Sequence, residues 1–244
     1  MILAFSVKSG CTILDNGKVL FSEYNLYTNT SNITLYYSAG NFIGMVQLLN
    51  PLEGPFYDIT SIDTNTIAVS AGKCIGIVNI DTHNVLQTIK NDRLCYGITH
   101  CDGKLYYCSN SEGIRRFDLK AKTYQLLVPT KDIRQLSYIS CDGNKLFYTC
   151  STGFVTCCDM NGKQIWRFED TSCLRSARGV VVDNEDFVFV AGEQSGNVVV
   201  ISLDGISSKE VYQISNPRAM CYDKNENKIL VCNTGKKALC FQIE

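Results

Sequence analysis

The sequence predicts an all-β fold, a six-bladed β-propeller, on three observations. First, an aspartate ending an apolar run returns at nearly constant spacing. It stands in TILD at Asp15, TSID at Asp63, THCD at Asp102, ISCD at Asp142, VVVD at Asp183 and MCYD at Asp223, separated by 48, 39, 40, 41 and 40 residues. A fixed period of this size marks a repeat architecture in which each unit is one supersecondary element. Second, a turn and another short β-branched or aromatic run follow each aspartate: KVLFSEY, TIAVSAG, KLYYCSN, KLFYTCS, FVFVAGE and KILVCNT. Third, no stretch of about ten to fifteen residues between the runs has helical periodicity, which excludes βαβ units.

Within a unit the elements follow in a fixed order. A third run (GIRRFDL, FVTCCDM, NVVVISL, ALCFQIE) comes after the second, and a more polar fourth (VLQTI, YQLLV, QIWRF, VYQIS) after that. Four short strands joined by Asn, Asp and Gly turns describe a propeller blade. The anchor aspartates fall in the turn after the innermost strand, where a short carboxylate accepts bonds from nearby backbone amides. They read as turn residues and not as ligands. The expected blades cover 9–50, 54–90, 93–129, 133–170, 174–214 and 215–244 plus 1–8, in one domain spanning 1–244. The last unit stops after its third run, so the strand MILAFSV (1–7) is expected to close the last blade and remove an open sheet edge. The first unit is longer than the rest, and YNLYTNTSNI (24–33) reads as a surface loop.

Lys plus Arg number 23 against 24 Asp plus Glu, a formal charge of −1. That balance argues against a surface given over to nucleic acid, and no DNA partner is expected, although a local basic patch remains allowed. The 13 cysteines include no C-x-x-C pair and suggest neither a disulfide framework nor a zinc signature. Cys150, Cys157, Cys232 and Cys240 lie inside apolar runs as small hydrophobes, which suits a reducing compartment, so a cytoplasmic location is expected. No window approaches the length of an apolar membrane span, and no membrane partner is expected. The sequons at Asn29 and Asn32 read as parts of a polar loop.

SARGVVVDNEDFVFVAGEQSGNVVVI (176–201) and NPRAMCYDKNENKILVCNTGKKALCF (216–241) resemble the NHL repeat, with YYCSNSEGIRRFDL (106–119) a weaker third match. The Pro-x-Gly start of that repeat survives only as Pro217-Arg218-Ala219, and its Ala-Asp-Ser-Gly turn is altered in every blade. The paired Gly-His and Trp-Asp of WD repeats and the double glycine of kelch repeats are missing. The resemblance implies a ring like the C-terminal domain of tripartite-motif (TRIM-NHL) proteins, which binds protein substrates or RNA. Any ubiquitin-ligase activity would then belong to modules outside this sequence.

Catalytic motifs are sparse. GEQSG (192–196) lacks the spacing of a hydrolase nucleophile turn. With only His83 and His100, a zinc site built on several histidines cannot be assembled. No catalytic residue, metal site or cofactor is assigned, and a non-catalytic module is expected. Glu53, Asp58 and Asn216, read as preceding innermost strands, define an alternative: a metal-dependent hydrolase or lactonase with a channel-bound cation.

The favoured site is a set of cations. Arg178 and Arg218 stand five residues before their anchor aspartates, and Arg134 and Arg93 lie slightly further back in blades 4 and 3. Lys8 is the blade 1 counterpart, with Arg175, Lys131 and Lys90 nearby. The loops that lead into the innermost strands open on one face, so these groups would ring the channel mouth and offer bidentate contacts to phosphate or carboxylate. Phe56, Tyr57, Tyr96 and Tyr138 would supply stacking surfaces for unpaired bases. The opposing reading pairs the arginines with Asp92, Asp132, Asp170 and Glu53. The expected function is a binding or scaffold module for an acidic or phosphorylated protein or peptide, with RNA recognition as the alternative.

Overall fold

A computed structural model describes residues 6–25, 27–150, 152–234 and 237–243. Blade 1 holds β1 (Ser6–Ile13), β2 (Val19–Asn25), β3 (Thr30–Tyr36) and β4 (Phe42–Met45). Blade 2 holds β5 (Phe56–Ser61), β6 (Thr66–Ala71), β7 (Cys74–Asn79) and β8 (Asn84–Lys90). Blade 3 holds β9 (Cys95–Cys101), β10 (Lys104–Ser109), β11 (Gly113–Asp118) and β12 (Thr123–Pro129). Blade 4 holds β13 (Ile139–Cys141), β14 (Lys145–Thr149), β15 (Val155–Asp159) and β16 (Gln164–Phe168). Blade 5 holds β17 (Ala177–Val182), β18 (Val188–Gly192), β19 (Asn197–Ile201) and β20 (Ser208–Gln213). Blade 6 holds β21 (Pro217–Asp223), β22 (Lys228–Asn233) and β23 (Ala238–Gln242). Each blade is an antiparallel meander, as short polar turns between apolar runs require, so the all-β six-bladed propeller is the observed fold.

The anchor aspartates do turn work where expected. The side chains of Asp63, Asp142, Asp183 and Asp223 each accept backbone N–H bonds from the residues that follow, at 2.7–3.1 Å. Two expectations change. Ser6 and Val7 pair with Asn25 and Tyr24, so they begin the innermost strand of blade 1 and do not close blade 6. The remainder of the proposed closing strand, 1–5, lies outside the described residues. The stretch 24–33 is mostly strand, because β2 runs through Asn25, β3 starts at Thr30, and Ile33 is buried. One apolar residue among many polar ones was enough to anchor that second strand, which composition alone conceals.

A single blade has two apolar faces, and only its neighbours can cover them. The core is accordingly a set of wedges between adjacent sheets. Leu14, Leu20 and Ile33 meet Ile59, Ile67 and Val69 between blades 1 and 2, and Ile75 and Ile89 meet Leu105, Tyr107 and Phe117 between blades 2 and 3. A larger wedge joins blades 4, 5, 6 and 1 through Phe147, Val155, Val188, Val190, Cys221 and Cys11, and β1 runs beside β21 to complete the ring.

Around the channel the innermost strands nearly touch. The Gly97 amide donates to the Ser137 carbonyl at 2.9 Å, and a Cβ on Gly97 would lie 2.5 Å from Tyr138 Cα. Backbone cannot yield as a flexible side chain can, so Gly97→Ala is expected to destabilise the ring by about 2 kcal/mol. A urea denaturation midpoint unchanged from the parent protein would show that blades 3 and 4 have slack here.

Candidate functional site

Chain direction sorts the two faces of the ring. One face carries the loops leading into the innermost strands, together with the turns between second and third strands. The other carries the aspartate turns and the turns between third and fourth strands. On the lead-in side, strand pairing is irregular near the start of the innermost strand in blades 1, 2, 3, 5 and 6. Such bulges turn side chains out of the pleat, and they fall on or beside Lys8, Tyr57, Arg178 and Arg218.

The predicted cations divide into two groups. Arg178 and Arg218 converge on one carboxylate: Arg178 Nε meets Glu193 Oε2 at 2.7 Å, and Arg218 Nη2 meets Glu193 Oε1 at 2.7 Å. Burial pushes the Glu193 carboxyl up, but the bonds and charges of Arg218 and Arg178 outweigh it and hold the group below its ordinary value. Lys8 Nζ sits 2.7 Å from Glu23 and 4.3 Å from the centre of the Phe21 ring. These three cations are therefore ion-paired within the fold, by partners other than Asp92, Asp132, Asp170 or Glu53. Arg93, Arg134 and Arg175 are exposed on the lead-in loops of blades 3, 4 and 5, and none forms an ion pair among the described residues.

The aromatic residues do not form a stacking platform. Phe56, Tyr96 and Tyr138 are buried, and half-buried Tyr57 meets Tyr96 edge to face at 5.0 Å. Phe56 and Tyr96 fill space in the cores between blades, where Tyr57 packs beside Tyr96, and this burial outweighs any display to solvent. Tyr138 also spans the ring: its hydroxyl donates to the Ser9 carbonyl at 2.7 Å, linking blade 4 to the opposite blade 1. Beyond this bond a cavity of about 420 Å³ opens toward the aspartate-turn face, lined by residues including Cys11, Asp58, His100, Tyr138, Cys141 and Lys224.

The proposed metal ligands do not assemble. Asp58 is buried with Oδ2 accepting the Ile98 amide at 3.0 Å, whereas Glu53 and Asn216 are exposed. Among the described residues no three His, Cys, Asp or Glu side chains gather into a metal-holding group. Cys240, expected inside an apolar run, is exposed on the outer strand β23, where no fourth strand covers it among the described residues.

A second opening lies on the lead-in face. A cavity of about 340 Å³ lies between Arg93 and Lys131, with Leu126, Pro129 and Thr130 in its wall. Neither flanking cation is ion-paired among the described residues. The Glu112 carboxylate in the same wall is already engaged by Ser109 at 2.7 Å and Arg115 at 3.6 Å. Sequence reasoning missed this groove because its two cations belong to successive lead-in loops. It also missed Glu193, whose turn position in GEQSG gave no hint of two arginine partners.

No protein-family model matches the sequence, and no curated protein matches it. Solved structures are similar in fold. Virginiamycin B lyase from Staphylococcus aureus aligns at a TM-score of 0.68 and 17% identity, over 98% of this chain and 85% of that one. A protein of unknown function from Bacteroides thetaiotaomicron aligns at a TM-score of 0.74 and 12% identity, over 100% and 71%. Hydrazine synthase from Kuenenia stuttgartiensis aligns at 0.68 and 11%, over 97% and 95%. At such identities the likeness concerns the propeller alone.

Two measurements probe the channel. Burial pushes the Asp58 carboxyl up to about 8 against the bonds from Ile98 and Ile59, while an unfolded aspartate ionises near ~3.9. Between those values the folded state keeps a proton that the unfolded chain has released, so stability falls as pH rises and levels off above about 8. Asp58→Asn is expected to remove this slope, which reaches at most about 1.4 kcal/mol per pH unit. Urea midpoints measured across that window decide it, and parallel pH profiles for variant and parent would refute it. Separately, Glu193→Gln leaves two close cations uncompensated and is expected to cost about 3 kcal/mol; thermal and urea unfolding should both report the loss.

Proposed function

We propose that this chain is a non-catalytic binding module, whose lead-in face takes an acidic or phosphorylated segment of a protein partner in the groove between Arg93 and Lys131. The observation that carries the reading is the pairing pattern. Arg178, Arg218 and Lys8 are ion-paired inside the fold, whereas Arg93 and Lys131 flank an open, partly apolar groove without ion-pair partners among the described residues. A phosphate or carboxylate entering there gains charge-assisted bonds to the guanidinium, and the segment's side chains gain contact with Leu126 and Pro129.

An RNA surface is the weaker reading. Affinity for RNA rests on many phosphate contacts and on stacking. Here Asp92, Asp132 and Asp170 lie among the rim cations, and the aromatic residues nearby are mostly buried. The NHL-like units at 176–201 and 216–241 are compatible with a protein partner, on the pattern of a tripartite-motif substrate-binding ring that serves a larger ligase-type protein. The 13 free cysteines fit a reducing compartment, and a cytoplasmic setting belongs to the same proposal.

The test uses fluorescence anisotropy with a labelled degenerate peptide pool carrying one phosphoserine, beside its unphosphorylated counterpart and a random RNA pool. Phosphopeptide binding that weakens about tenfold or more in the Arg93→Ala, Lys131→Ala double variant is expected. Binding to RNA alone, falling steeply with salt, would replace this reading with the RNA one. No binding of either pool would overturn the groove as the site.

A further inference from the structure

Cys101 and Cys141 occupy equivalent places in neighbouring blades. Each is the last residue of its innermost strand and directly precedes an anchor aspartate, in THCD and ISCD. The Gly97–Ser137 backbone bond joins the two strands four residues earlier in both, so the strands run side by side in matching register. The two side chains pack against the same core between blades 3 and 4. Cys141 Sγ is further held 3.6 Å from Thr99 Oγ1 and donates to the His100 carbonyl at 3.6 Å. Both side chains are only partly buried at the aspartate-turn end of the channel, and Cys141 lines the cavity that opens there.

We propose that Cys101 and Cys141 are a reversible dithiol site that a small disulfide of the glutathione class oxidises to a disulfide bridging blades 3 and 4. A disulfide requires two Cβ atoms that point toward each other, and Cys141 Sγ already lies against Thr99 and His100, the two residues that precede Cys101. In the first step the Cys101 thiolate attacks one sulfur of glutathione disulfide, forming a mixed disulfide and expelling one glutathione thiolate. In the second, the Cys141 sulfur attacks Cys101 Sγ, and its proton leaves on the second glutathione. The protein loses two electrons, and glutathione disulfide gains them as it becomes two glutathione molecules.

The direction of attack follows from the surroundings. The interaction with Cys141 lowers Cys101 below the ordinary thiol range, with Lys224 helping while burial, Asp102 and Asp142 oppose. Cys141 is pushed up by the same interaction and by burial. Thiolate character makes Cys101 the attacking group. The Cys11–Cys221–Cys232 cluster provides the contrast: its thiols are all buried and pushed up, which leaves them unreactive.

The reduced full-length chain is incubated with glutathione disulfide, alkylated while folded, and digested for mass spectrometry. A Cys101–Cys141 linked peptide lighter by two hydrogens is expected, and it should be lost on treatment with dithiothreitol. Cys141→Ser, with folding checked by circular dichroism, should stop at a single glutathione adduct on Cys101. In the untreated parent, limiting iodoacetamide should label Cys101 several-fold faster than Cys240, although Cys240 is more exposed. Free Cys101 and Cys141 after oxidation, with glutathione on Cys240 or Cys173 instead, would overturn the proposal. Equal labelling of Cys101 and Cys240 would also count against it.

Discussion

Burial between blades is the constraint from which the rest of the structure follows. A four-stranded antiparallel sheet of Val, Ile, Leu and Phe runs cannot hide both faces by itself, and the hydrophobic effect favours any arrangement that covers them. Wedges such as Leu20 and Ile33 against Ile67 and Val69 do this between neighbours, and ring closure leaves no blade with a bare face. Closure also crowds six innermost strands around one axis. That crowding explains Gly97 against Tyr138, the buried Asp58 bonded to the next blade, and the Tyr138–Ser9 bond across the ring.

The same geometry partitions the polar groups. Side chains directed inward on the lead-in side are too confined to remain unpaired, because an uncompensated buried charge is costly. Arg178 and Arg218 therefore share Glu193, and Lys8 takes Glu23. Cations a few residues earlier, still in the loops, remain hydrated and free of that requirement. The paired arginines stand five residues before their aspartates, whereas Arg134, Arg93 and Lys131 stand eight, nine and eleven before theirs. The proposed peptide groove and the dithiol lie at opposite ends of the boundary between blades 3 and 4, and each rests on its own observations.

Much of the fold was legible because its signals are local. The aspartate period, the β-branched runs and the turn chemistry around Asp63, Asp142, Asp183 and Asp223 depend on residues a few positions apart. The extent of β3 was less legible, since its burial rests mainly on Ile33 within a polar stretch. At the site, the equivalence of Arg178 and Arg218 could be read from spacing, and so could that of Cys101 and Cys141 before their aspartates. The fate of those groups could not.

The sequence by itself determined the repeat, the six blades and the residues that lead into the channel, because short-range hydrophobic and turn patterns specify strands and their antiparallel partners. Only the tertiary structure decided which cations are ion-paired, which aromatics are buried and which thiols pack against the same core. Those outcomes depend on contacts between residues such as Arg218 and Glu193, or Tyr138 and Ser9, that lie 25 and 129 positions apart. Such pairs meet only after the ring has closed, and no periodicity along the chain records their meeting.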